Sequence, residues 1–491
     1  MTRLPFNHNY CRHPSRHRHP TTTSTTTRRS PFKNSLVIPK CHATATEDGV
    51  QVTEKNVRTG SYRVISISPS NQNGTATDTL LPHATAPPQQ PSSLPSFIRS
   101  LFLPQGWPSS VTTDYLNYQL WTFPSHITGW MSHSLAGSSM LSALGVGAGP
   151  ATAVGFSAAI KWVTKDGVGA LGRLFVGGRL SSVFDEDPKK WRMVAEAVTT
   201  LGLALEIATQ VSPSNFVLLA GSGTLAKATG KGMGRPCFRV IQTHFATRGA
   251  QLNVGDVAAK EEIWEVAAQL LGLSASVALL SVLEASGTPE AVIPCWAAIH
   301  AVHVWVRYTA LTKLRFPYPN YQRGCVLVGG YIASAGHAVV TIDDANSQET
   351  LLFSLNPTTS TTGSSIPVPR CQFGCSIDQV VGCVGAPPLP DLIALYKDEK
   401  YILTYDAQDE TAYVAMWEDA GPVDMLRALF QSAVGGPVAV AGEGEGNGRR
   451  ERESLIEMQS KFGDFESKAT AAGWQLHRTV FPSGSFRLAR S

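Results

Sequence analysis

The sequence predicts a mainly α protein: a Gly/Ala-rich helical bundle, followed by a smaller C-terminal α+β domain. Three observations carry that expectation. No Lys, Arg, Asp or Glu occurs from Tyr115 to Ile160. A second uncharged run, the eighteen residues Val266 to Leu283, lies inside what reads as one long helix. Beyond Leu389, short β-branched and aromatic runs alternate with helical spacing. Charged residues make up 16% of the 491, well below the usual quarter, with 43% hydrophobic residues and 43 glycines, a balance suited to close helix packing or lipid contact.

The first 46 residues stand apart. They carry eight Lys/Arg and no Asp or Glu, with an unbroken hydroxyl run from Thr21 to Thr27. No apolar segment of the secretory kind is present, and Arg-rich, Ser/Thr-rich, acid-free text is the organelle transit composition. Residues 1–46 are therefore expected to be a plastid transit peptide. Without these eight, the 41 basic residues fall to 33 against 37 acidic ones, which argues against nucleic acid as a partner. Residues 47–95 read as a solvated linker with one short strand, Tyr62–Ile67. The six cysteines beyond the head suit reduced thiols inside a cell.

A helical domain is expected over 96–335. Pro104 and Pro108 bracket its entry, and Thr112 or Ser110 is placed to cap a helix bearing Tyr115, Leu116, Leu120 and Trp121. Gly145, Gly147, Gly149 and Pro150 interrupt the following small-residue run, which predicts two short helices rather than one span. Helices follow over Ala195–Thr209, Ala258–Leu283 and Ala291–Val306. Lys260, Glu261, Glu262 and Glu265 crowd the first half of the second of these, where acidic residues suit the helix dipole. Val266–Leu283 sits at the lower length limit for a membrane span, so a membrane helix and a buried soluble helix both remain open. Val326–Ile332 fits a strand or a helix end. Residues 336–370 read as a Ser/Thr/Pro-rich linker, and 371–491 as the α+β domain. That domain holds a helix at Leu389–Lys397, a hairpin of Tyr401–Tyr405 with Thr411–Trp417, and a helix over Val423–Ala433. A Gly-rich link, a charged helix over Glu451–Ala472 and a final strand pair around Trp474–Phe481 and Phe486–Leu488 complete it.

Several motifs invite chemistry. Phe216 to Ala226 contains G-x-G-x-x-A after an apolar run, as in dinucleotide sites. No acidic residue follows at ribose distance, and Gly230, Gly232 and Gly234 are expected to break the helix, so a dinucleotide is not expected. His300 and His303 share a helix face but lack further ligands nearby, and are read as core or interface histidines rather than a metal site. Cys371, Cys375 and Cys383 lack zinc spacing. The charged residues that punctuate the apolar text are the candidate ligand site: Lys161, Lys165, Asp166 and Arg173, costly inside packed helices unless paired or functional. Their plain alternative is a charged turn between two helices.

An ordered series of segments resembles the root UVB-sensitive family. It comprises Leu103-Pro104 with Gly106 to Thr112, Asp114-Tyr115-Leu116, Leu120-Trp121, Trp162 to Gly169, Asp187-Pro188-Lys189-Lys190-Trp191-Arg192, Arg239 to Phe245, and Ala258 to Glu262. The likeness is dense over 96–335 and looser over 389–491, where it resumes at Lys400 to Leu403 and Ala472-Gly473-Trp474. Residues 435–448 depart from the family pattern. The resemblance implies a plant protein of ultraviolet-B response and vitamin B6 homeostasis, with no established reaction and no catalytic residues to carry over. The expected function is thus a non-enzymatic plastid protein, without cofactor, acting through protein partners (another family member among them) at or near a membrane. The alternative is a carrier or binder of a small anionic ligand such as a phosphorylated B6 vitamer.

Overall fold

The computed structural model describes residues 44–46, 49–55, 62–67, 96–145, 159–165, 183–246, 253–351, 370–406, 408, 411–435, 448–482 and 484–489. The chain divides into two compact units, Met1–Pro88 and Gln89–Ser491. In the first, β1 (Thr44–Thr46), β2 (Gly49–Lys55) and β3 (Tyr62–Ile67) form an antiparallel sheet in that order. Val50 pairs with Ile67 and Lys55 with Tyr62. The expected strand is β3. Its partners escaped notice because β2 alternates only Val50 and Val52 against Gln, Thr, Glu and Lys, a weak apolar signal.

The second unit begins with α1 (Ser96–Phe102) and α2 (Tyr115–Ala143). A helix over residues 159–165 is α3, followed by α4 (Val183–Glu186), α5 (Pro188–Ala208) and α6 (Phe216–Phe245). Next come α7 (Val254–Ala285) and α8 (Val292–Thr312). Helices α2, α5, α6, α7 and α8 form the bundle; α2 packs against α5, α7 and α8, and α5 lies along α6. The uncharged run from Tyr115 is therefore one 29-residue helix up to Ala143, with residues 146–158 outside the described set. Asp114, not Thr112 or Ser110, occupies the N-cap of α2 and makes no capping bond there, because its carboxylate is engaged elsewhere.

The glycines of α6 do not break it, contrary to expectation; the helix runs 30 residues through Gly230, Gly232 and Gly234. Packing outweighs propensity, which disfavours an interior glycine by only about 1 kcal/mol. A Cβ at Gly223 would lie 2.7 Å from the Gly202 carbonyl oxygen, and one at Gly202 would lie 2.6 Å from that of Gly223. The seam between α5 and α6 is thus backbone against backbone. The G-x-G-x-x-A text is part of this seam, in mid-helix, and opens no strand-to-helix phosphate loop.

The remaining chain builds the C-terminal core. It contains α9 (Tyr321–Ala333), α10 (Ile342–Ser347), β4 (Arg370–Phe373), α11 (Ile377–Val381), α12 (Leu389–Leu395), β5 (Tyr401–Asp406), β6 (Thr411–Met416), α13 (Pro422–Val434) and α14 (Arg449–Ala471). The sheet order is β4-β6-β5, with β4 and β6 parallel and β5 and β6 antiparallel, so the expected hairpin is present. Helices α13 and α14 cover it, burying Leu429, Phe430, Phe462 and Phe465. Helix α9 contributes Cys325, Leu327, Val328 and Tyr331 to this same core. The predicted final strand pair is absent among the described residues. Leu476–Arg478 is a 3-10 turn, and Val480 and Leu488 make isolated bridges to Asn320 and Trp417 instead of to each other.

Candidate functional site

Each bundle helix brings polar residues at helical spacing to one shared space, with Lys231, Arg235 and Glu262 exposed at its mouth. On α5 these are Arg192, Glu196 and Thr199; on α6, Lys231 and Arg235; on α7, Glu262 and Glu265. Helix α8 adds His300, His303 and Arg307, and α2 adds Ser125, His126, Gly129 and His133. Together they line a chamber of about 610 Å³, closed also by Trp130, Leu203 and Phe238.

Glu196 organises its deep end. Its Oε1 lies 2.9 Å from His303 Nε2, and its Oε2 is 3.5 Å from both Arg192 Nη1 and Arg307 Nε. His303 Nδ1 also meets the Ser125 carbonyl oxygen at 2.8 Å. Thr128 Oγ1 stands 3.1 Å from the same Nδ1. One carboxylate thus stands among two guanidinium groups and an imidazole. Arg307 is 5% exposed and its Nε makes no hydrogen bond among the described residues, the Glu196 contact at 3.5 Å being too long for one, which leaves a buried donor poorly satisfied. His300 is held between Thr200 Oγ1 at 2.8 Å and Ser132 Oγ at 3.2 Å, and stacks on Trp296. A Cβ at Gly129 would sit 3.1 Å from His303 Cε1, so the glycine lets α2 approach the ring.

Two further polar locks brace the bundle. Asp114 Oδ2 accepts from the Arg315 backbone N–H at 2.8 Å and lies 2.9 Å from His244 Nε2. Burial alone would raise the Asp114 carboxyl, but the His244 hydrogen bond and charge outweigh it and hold it below its ordinary value. Glu261 accepts from Gln119 Nε2 at 3.1 Å and from Gln242 Nε2 at 2.7 Å. Where α5 meets the C-terminal part, Glu349 accepts from Lys189 Nζ at 2.7 Å and Arg323 Nη1 at 2.8 Å, all deeply buried. Glu349 is also buried, yet Arg323 and Lys189 pull its carboxyl down to about 2. Burial and the Glu349 charge push neighbouring Asp187 up to about 6.

Of the candidate residues chosen from sequence, the two described ones, Lys161 and Lys165, do not line the chamber. Lys161 is exposed on α3. Lys165 is buried, with Nζ 4.4 Å from the Trp162 ring centroid, a cation–π contact. Asp166 and Arg173 fall outside the described residues. His300 and His303 are buried as expected, but they line the chamber. Among the described residues no group of three or more His, Cys, Asp or Glu is arranged to hold a metal. The chamber's charges escaped sequence reading because they are distributed over four helices far apart in the chain. Their signal was present nonetheless in the segments that carried the family resemblance: Asp114, Arg192, Gln242, His244 and Glu261 all belong to them, and all belong to the locks or to the chamber.

A family model described as the vitamin B6 photo-protection and homoeostasis domain matches residues 88–335. Over 397 residues the chain is 40% identical to protein root UVB sensitive 5 of Arabidopsis thaliana, covering 79% of this chain and 75% of the relative. Protein root UVB sensitive 3 of the same plant is 27% identical, over 79% and 84% of the two chains. Protein root UVB sensitive 2, chloroplastic, is 25% identical over 79% and 84%. No solved structure matches the chain.

Proposed function

The chain belongs to the root UVB-sensitive family, whose shared domain is described by vitamin B6 photo-protection and homoeostasis, and from that premise we propose a non-enzymatic plastid protein whose helical bundle sits in a membrane and acts through protein partners. The observation that carries the membrane reading is the outer face of α7. This 32-residue helix is long and apolar enough to cross a bilayer, and only 17% of its apolar window is buried. Leu270 is 63% exposed, Val277 65% and, on α8, Trp305 59%. Buried charges such as Glu196, Glu261 and Arg307 beneath an apolar outer face depart from the usual soluble pattern. The acid-free basic head supports plastid import, as does a relative named chloroplastic. Washing plastid membranes with alkaline carbonate tests this: the protein is expected to stay with the membrane, and its release into the wash would overturn embedding.

A second reading, a carrier or binder of a small anionic ligand such as a phosphorylated B6 vitamer, is favoured by the chamber. Two guanidinium groups on the single Glu196 carboxylate leave an excess of positive charge at the buried end of the chamber. That is the electrostatic condition for capturing an anion.

A further inference from the structure

Anion capture alone does not account for the mouth of the chamber. Lys231 and Arg235 sit one helical turn apart on α6, and Glu262 and Glu265 one turn apart on α7. All four line the same space, and among the described residues none of them makes an ion pair or a side-chain hydrogen bond. Opposite charges that share a chamber without touching leave a positive pole on one wall and a negative pole on the other. A simple anion would gain from α6 and be repelled by α7. A ligand carrying both signs gains from both.

We propose that the chamber binds a zwitterion, a phosphate ester that also bears a protonated amine, with the phosphate toward Lys231, Arg235 and the buried Arg307 and the ammonium toward Glu262 and Glu265. Guanidinium groups suit phosphate because their planar donors match two oxygens at once. Arg307 supplies a guanidinium at the deep end whose Nε stands 3.5 Å from Glu196 Oε2 and makes no hydrogen bond among the described residues. Trp130 and Phe238 add flat apolar walls for whatever carbon skeleton joins the two charges. The same chemistry occurs in an aminated phosphorylated vitamer and in an amine-bearing phospholipid headgroup. This inference rests on the second reading above.

Titration calorimetry on the full chain in lipid nanodiscs tests it with three probes: pyridoxamine phosphate, phosphoethanolamine and inorganic phosphate. At least one zwitterion is expected to bind about tenfold more tightly than inorganic phosphate, the equivalent of one good charge-assisted contact. Pyridoxamine phosphate as the tighter ligand identifies a vitamer, and phosphoethanolamine a lipid headgroup. The double variant Glu262→Gln, Glu265→Gln is expected to erase the margin, and to tighten rather than weaken inorganic phosphate binding because the repulsion from α7 is gone. Arg235→Gln, at the exposed mouth, is expected to weaken all three probes. Both variants keep the buried Glu196 cluster, and thermal unfolding confirms their fold. Equal binding of all three probes, no binding of any, or a margin that survives loss of both carboxylates overturns the proposal. Failure here in a protein that resists carbonate removes the zwitterion site and leaves the membrane reading standing.

Discussion

Glu196 is the residue on which the interior charge pattern turns. It balances His303, Arg192 and Arg307 within a space that admits little screening. Removing one member of a buried ionic group costs more than the group contributes, since the partners stay charged and uncompensated. Glu196→Gln is therefore expected to destabilise the protein by about 3 kcal/mol, seen as a lowered midpoint in thermal or denaturant unfolding. A variant as stable as wild type would show that Arg192 and Arg307 find other acceptors. Sequence reading placed Glu196 within the helix expected over Ala195–Thr209 and gave it no role. It set His303 aside as a core residue, which its burial matches and its position beside the chamber extends.

At the scale of elements, small residues do what the apolar runs alone do not. Gly202 and Gly223 face each other's carbonyl oxygens, and a Cβ at Gly230 would overlap Thr199 Oγ1. Close approach also brings Lys227 Nζ to 2.6 Å from Glu206 Oε2 and Thr224 Oγ1 to 3.2 Å from Glu206 Oε1, a buried tie between the two helices. Backbone cannot yield as a side chain can, so Gly223→Ala is expected to push α5 from α6 and cost about 1–3 kcal/mol. An unchanged unfolding midpoint would mean the seam has slack. The density of Gly, Ala and Ser predicted such nesting in advance. The phase of the glycines along α6 was misread, because a glycine buried in a seam and a glycine ending a helix look alike in sequence.

On the scale of the whole molecule, the Asp187-Pro188-Lys189-Lys190-Trp191-Arg192 segment joins the bundle to the C-terminal part. Asp187 caps α5 through the Lys190 N–H at 3.1 Å, Lys189 reaches Glu349 and Asn346, and Arg192 faces the chamber. The joint is pH-sensitive in two opposed ways. Glu349, held down to about 2, stabilises the fold above the unfolded carboxyl value, and that contribution is lost as pH falls toward 2. Asp187, raised to about 6, favours the fold while protonated, and its contribution is lost as pH rises through 6. Asp187→Asn keeps a capping oxygen but cannot ionise. The variant is expected to gain stability relative to wild type between pH 4 and about 7, measured by denaturant unfolding across that range. A difference independent of pH would mean the Asp187 carboxyl is not perturbed.

The sequence by itself determined that this chain is helical, sparsely charged and a member of its family, because periodicity, hydrophobic runs and ordered motifs are local properties that survive without coordinates. It also placed β3, the C-terminal hairpin and the helices that flank it. Only the tertiary structure decided where the lone charges meet. Glu196 and His303 are 107 residues apart, Asp114 and His244 130, and Gln119 and Glu261 142. Their pairing depends on which helix faces turn inward when the glycine seams close, a choice made by packing between elements and written in no single one of them.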